Sequence, residues 1–95
     1  MMTYERACEL IKENARFHAT KILSIAKKPL SERRPAYIAH ARDGEHLIYI
    51  LYAHGFGAEA DGSDDYYYEW DYAINKEQLA EMISEYLRVC KVCDE

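Results

Sequence analysis

Residues 36–53 read AYIAHARDGEHLIYILYA, two β-rich runs meeting at Asp43-Gly44, and their reading decides the fold. Asp-Gly tolerates the positive φ angles of a two-residue type I′ turn, so Ala36 to Arg42 and Glu45 to Ala53 are expected to pair as a hairpin. With Asp43-Gly44 as the loop, Arg42 stands opposite Glu45, Ala41 opposite His46, Ala39 opposite Ile48 and Ile38 opposite Tyr49. One face then carries Tyr37, Ala39, Ala41, His46, Ile48, Ile50 and Tyr52. The other carries Ile38, His40, Arg42, Glu45, Leu47, Tyr49 and Leu51.

Downstream, His54 to Asp65 holds three Gly and several acids and reads as a loop. Tyr66 to Ile74 alternates strictly, with Tyr66, Tyr68, Trp70, Tyr72 and Ile74 on one side and Tyr67, Glu69, Asp71 and Ala73 on the other, which predicts a third strand. Asn75-Lys76-Glu77-Gln78 then opens a helix: Asn75 caps, Gln78 can reach back, and Ile74 and Leu79 occupy the hydrophobic-staple positions. Leu79, Met82, Ile83, Tyr86, Leu87 and Cys90 follow its apolar face, opposite Glu77, Glu81 and Glu85.

Upstream, Thr3 is a candidate cap. Tyr4, Cys8, Ile11, Ala15, Ala19, Ile22 and Ile25 or Ala26 keep helical spacing, which predicts one long helix ended by Pro29, with a basic loop from Ser31 to Pro35. The order α-β-β-β-α predicts a two-layer α+β sandwich: a three-stranded antiparallel sheet with both helices on one face. The uncovered face would show Ile38, His40, Leu47, Tyr49 and Leu51 beside Tyr67, Glu69 and Asp71. That is more apolar surface than a monomer usually exposes, so a homodimer or a partner contact is expected there.

The composition suits a single folded domain over residues 1–95: 49% hydrophobic, 31% charged, with four Gly and two Pro. The longest uncharged apolar run, Leu47 to Ala53, falls far short of the roughly 20 residues a membrane helix needs. Glu5, Arg6, Glu9 and Lys12 interrupt the first residues, unlike a secretory signal. Three cysteines, two of them at the end of the last helix, suit free thiols in a reducing compartment. A cytoplasmic location follows as an expectation.

Charge divides along the chain. Residues 1–42 carry nine Lys or Arg against four Asp or Glu, and residues 43–95 carry three against thirteen. The acidic part is suited to a basic partner and would repel nucleic acid. The aromatic strand could stack nucleobases, but single-strand binders surround such rings with Lys and Arg rather than with carboxylates.

Catalytic and metal chemistry have little to stand on. Cys90-x-x-Cys93 lies at a helix C-terminus, where the dipole suppresses the thiolate that redox work requires. Zinc would need two more ligands from Cys8 and the scattered His18, His40, His46 and His54, and no spacing joins them. His54-Gly55-Phe56-Gly57 matches no phosphate-binding pattern. The acids from Glu59 to Asp71 do not fit an EF-hand frame. No catalytic residue, cofactor or metal is therefore assigned, and a zinc-stabilised domain using Cys90 and Cys93 is the least favoured alternative.

The expected function is a non-enzymatic protein-binding module. Its contacts would be Asp64, Asp65, Glu69 and Asp71 in place of phosphates, with Tyr67 and Tyr49 as apolar anchors. The layout resembles small phage-encoded inhibitors such as some anti-CRISPR proteins, and bacterial immunity proteins, which present acidic faces on compact α+β frames. The resemblance is architectural and covers no sequence motif. It implies an inhibitor that blocks the basic, nucleic-acid-binding surface of a target. The alternative is a homo-oligomerising domain that buries the uncovered sheet face.

Overall fold

The computed structural model describes residues 2–15, 19–32, 34–54 and 68–93. Among the described residues six elements follow one another: helix α1 (Tyr4–Ala15), strands β1 (Lys21–Lys27), β2 (Ala36–Asp43), β3 (His46–His54) and β4 (Tyr68–Ala73), and helix α2 (Lys76–Cys93). The strands form one antiparallel sheet in the order β1-β2-β3-β4, so each pairs with its neighbour in the sequence.

The first correction is the fourth strand. The expected long helix ends at Ala15, and residues 21–27 become β1 instead. The Ala19 N–H still bonds the Ala15 carbonyl at 2.6 Å, and the next N–H, from Thr20, bonds the Arg42 carbonyl at 2.7 Å, so helix ladder gives way to sheet ladder within one residue. The Thr20 hydroxyl donates to the Arg42 carbonyl and accepts from the Gly44 N–H, tying the start of β1 to the hairpin turn. The helical spacing was misleading for a definite reason. A β-bulge shifts the register between Ile22 and Ser24, and the extra residue, Leu23, lets Ile22 and Ile25 face the same way three positions apart. Ile22 and Ile25 pair with Ala41 and Ala39 and pack half-buried on the α1 side. Helix α1 itself buries Ala7, Leu10, Ile11 and Ala15, a face turned one step from the expected one, which leaves Tyr4 exposed. Thr3 caps it as expected, its Oγ1 accepting from the Arg6 N–H at 3.1 Å.

The hairpin forms with its turn one residue later than expected. Asp43 pairs with His46, so the two-residue loop is Gly44-Glu45. Gly44 has φ 63°, and no described non-glycine residue has positive φ, which matches a type II′ turn with Gly at the first central position. Ala39 therefore faces Ile50 and Ile38 faces Leu51. The slip moves both strands by one, so every side chain stays on its expected face.

The second correction is the layering. Two separate cores lie on the two faces of the sheet. On one, Ala7, Leu10, Ile11 and Ala15 of α1 pack with Tyr37, Ala39, Ala41, Ile50, Tyr52 and Tyr68. On the other, Cys90 of α2 packs with Leu30, Ala36, Leu51 and Ala53, joined by Ile38, Met82 and Tyr86. The helices thus cover opposite faces rather than the same one. A face holding Leu51 and Ala53 beside Ile38 has too much aliphatic surface to stay in water, and the apolar stripe of α2 is what covers it. The start of α2 holds as expected in its cap, with the Gln78 N–H bonding Asn75 Oδ1 at 2.8 Å. Gln78 Oε1 accepts from the Ile74 N–H, and the Ile74 side chain remains exposed, so the expected staple is not buried.

Candidate partner-binding surface

Strand β4 sorts its side chains between the two cores. Tyr68, Trp70 and Tyr72 pair with His54, Tyr52 and Ile50 on the α1 side. Trp70 stacks on Tyr52 with ring centroids 4.1 Å apart and planes 12° apart, and Tyr68 tilts against the same ring at 4.7 Å. Glu69 and Asp71 pair with Ala53 and Leu51 and so lie on the α2 side. There the Tyr86 hydroxyl comes within 2.5 Å of Asp71 Oδ2 and 3.3 Å of Glu69 Oε2. A phenol has one proton, and the shorter contact takes it, so Asp71 is the acceptor and Glu69 stands beside the pair. Burial raises the Tyr86 phenol well above the ordinary value, and the hydrogen bond to Asp71, its charge and that of Glu69 push the same way.

Beyond Tyr86, Glu85 and Val89 of α2 overhang the same flank. Together with Glu69 and Tyr86 they line a cavity of about 190 Å³. Glu85 is paired with Arg88 one turn on, and the guanidinium holds its carboxyl below the usual range. Its side chain is 61% exposed, so the pair is a weak tie.

Of the expected contact residues, Glu69 and Asp71 are brought together. Tyr49 lies on the same sheet face, opposite Ala73, but its ring stacks on His40 with centroids 4.9 Å apart and planes 8° apart, which places it away from the carboxylates. Asp64, Asp65 and Tyr67 lie outside the described residues, as do His18, Arg33, Glu59, Asp61, Tyr66 and the loop segment Gly55-Phe56-Gly57. The expected bare sheet face is largely covered: α2 buries Leu51 completely and Ile38 in part, leaving Leu47 exposed. Sequence reasoning missed Tyr86, Glu85 and Val89. The signal for Tyr86 was a tyrosine within the apolar stripe of a helix, whose hydroxyl needs a polar partner in the layer beneath.

A larger cavity, about 390 Å³, opens at the other end of the sheet between Met2, Lys27, Pro29, Ser31, Glu32, Pro35 and Tyr37. Cys90 is buried in the α2-side core. Among the described residues no group of three or more His, Cys, Asp or Glu is placed to hold a metal ion, and no helix is long and apolar enough to cross a membrane. No protein-family model, curated protein or solved structure matches the chain.

Proposed function

We propose that the chain is a non-enzymatic protein-binding module whose acidic flank, formed by β4 and α2, occupies a basic surface of a target, as an inhibitor of a nucleic-acid-binding protein would. The observation that carries the reading is the convergence of Glu69, Asp71 and Glu85 around Tyr86, carboxylates from two elements on one flank beside a small cavity. Carboxylates at strand spacing offer anionic oxygens on one face, and the Tyr86 phenol orients one of them, which favours recognition of Lys and Arg over general charge attraction. Asp64 and Asp65 precede β4 in the chain and extend the acidic sequence toward it.

The test is a pull-down from a nuclease-treated lysate of the source cell, with the chain as bait and a variant neutralised at Asp64, Asp65, Glu69 and Asp71 as control. Recovery of a nucleic-acid-binding protein by the wild type alone, with an affinity that falls steeply as salt rises, is the expected result. Equal recovery by both baits, or binding indifferent to salt, would refute it.

A further inference from the structure

We infer that the protein forms a two-fold dimer in which helix α2 of each copy lies on the uncovered β1–β2 part of the other copy's sheet.

Helix α2 covers only part of its side of the sheet. Its Met82, Tyr86 and Cys90 pack over Leu51, Ala53 and Ala36, and the Tyr86 hydroxyl reaches β4. The rest of that side forms a shelf toward β1. There Lys21 pairs with Arg42, Ser24 with His40 and Ala26 with Ile38, and Lys21, Ser24, Ala26 and Arg42 are all exposed. Leu47, the partner of Arg42 on β3, is 48% exposed. The shelf is therefore open at each of these side chains. The helix has two flanks above the sheet. Glu85 and Val89 overhang Glu69 at β4, so Ile83 and Leu87, one turn apart on the other side of Tyr86, face the shelf. Leu87 is 44% exposed.

Charge selects the occupant. Ala73 pairs with Tyr49, and β4 leads directly into α2, so the first turns of α2 lie at the same end of the sheet as Lys21 and Arg42. Exposed Glu77 and Glu81 thus stand on one bank and Lys21 and Arg42 on the other, with Leu47 and the flank of Ile83 and Leu87 between them. A partner of one charge sign is attracted to one bank and repelled by the other. A second copy carries both signs in matching order. A two-fold axis along the strands turns the sheet over, exchanges its edges and keeps its ends in place. Glu77 and Glu81 of each copy then meet Lys21 and Arg42 of the other, while the two Leu87 flanks meet at the axis. The 18 residues of α2 make a strip about 27 Å long and 10 Å wide. Each copy gives one strip and receives one, roughly 500 Å² per copy, which is the low end for a specific interface and predicts a weak, concentration-dependent dimer. Glu69 and Glu85 lie on the far flank of α2, so the dimer stands apart from the proposed function.

The test is sedimentation velocity from about 1 to 200 µM, with far-UV circular dichroism to confirm that each variant is folded. The wild type should move from monomer toward dimer as concentration rises. Arg42→Glu and Glu81→Arg, both at exposed positions, should each raise the dimer dissociation constant about tenfold or more, because every like-charge contact they create occurs twice. Leu87→Asn should weaken the dimer as well. Mixing the two charge variants puts opposite charges together at both contacts, so the mixture should associate as the wild type does. A monomer throughout, growth past the dimer, or single variants that associate like the wild type would overturn the inference. A mixture that associates no better than its components also overturns it and assigns self-association to another surface. The pull-down with the neutralised bait decides the acidic-flank reading separately.

Discussion

Two side chains on the α2 side of the sheet set opposite local energies. Tyr86 gains a hydrogen bond to a carboxylate, and Tyr86→Phe should cost about 1 kcal/mol in urea unfolding. The same contact makes stability depend on pH at the alkaline end. The folded phenol ionises above its ordinary value of about 10, whereas the unfolded phenol ionises there. The contribution is therefore whole below about pH 10 and is lost as pH rises beyond it. Wild-type stability should fall more steeply above pH 10 than that of Tyr86→Phe, and equal slopes would show that the phenol is not held. His40 is the opposite case: its Nε2 is sealed from solvent with no hydrogen-bond partner among the described residues, while its ring stacks on Tyr49. His40→Phe keeps a stacked ring and removes the orphan nitrogen, so a gain of about 1 kcal/mol is expected from the same unfolding measurement. Neither role was legible in the sequence. The alternation placed Glu69 and Asp71 on one face, but which helix lay above them depended on layering that no local pattern encodes.

At the scale of elements, legibility followed the range of the interactions. The hairpin, β4 and the cap of α2 are set by turn chemistry, alternation and a side-chain bond three residues long, and their existence was readable, although the turn lies one residue later than Asp43-Gly44 and the described strand is Tyr68–Ala73 rather than Tyr66–Ile74. The fate of residues 21–27 was not, because a bulged edge strand and an amphipathic helix both place Ile22 and Ile25 on one side. Thr20, Ile22 and Ile25 are β-branched and lose rotamer freedom in a helix, while pairing with β2 gives them a ladder. The bulge carries a prediction of its own. Deleting Leu23 forces the segment into simple alternation, which turns Ile22 or Ile25 away from the α1 core. The loss of one half-buried isoleucine side chain from that core should lower stability by about 1 kcal/mol in thermal or urea melts. If Leu23 were a passive surface residue, its deletion would change little.

Across the whole molecule, the sheet is a partition. Ile50 and Leu51 are chain neighbours, both fully buried, yet one belongs to the α1 core and the other to the α2 core. Each truncation to Ala should cost about 2–5 kcal/mol. Because the side chains belong to different cores on opposite faces of the sheet, the double variant should cost the sum to within about 0.5 kcal/mol. A larger coupling energy in that cycle would mean that the cores communicate through the sheet. The charge division of the sequence also acquires a spatial sense, since Lys21 and Lys27 flank one terminal strand while Glu69 and Asp71 sit on the other. The order of elements bears on birth as well as on the finished state. A meander closes each strand pair with the strand just made, so the sheet can assemble as the chain lengthens. Helix α2 comes after all four strands. Until it is synthesised, Leu51, Ala53 and Ile38 face water on a complete sheet, and the nascent chain passes through a stage in which its stickiest surface is ready before its cover exists, an interval suited to chaperone capture.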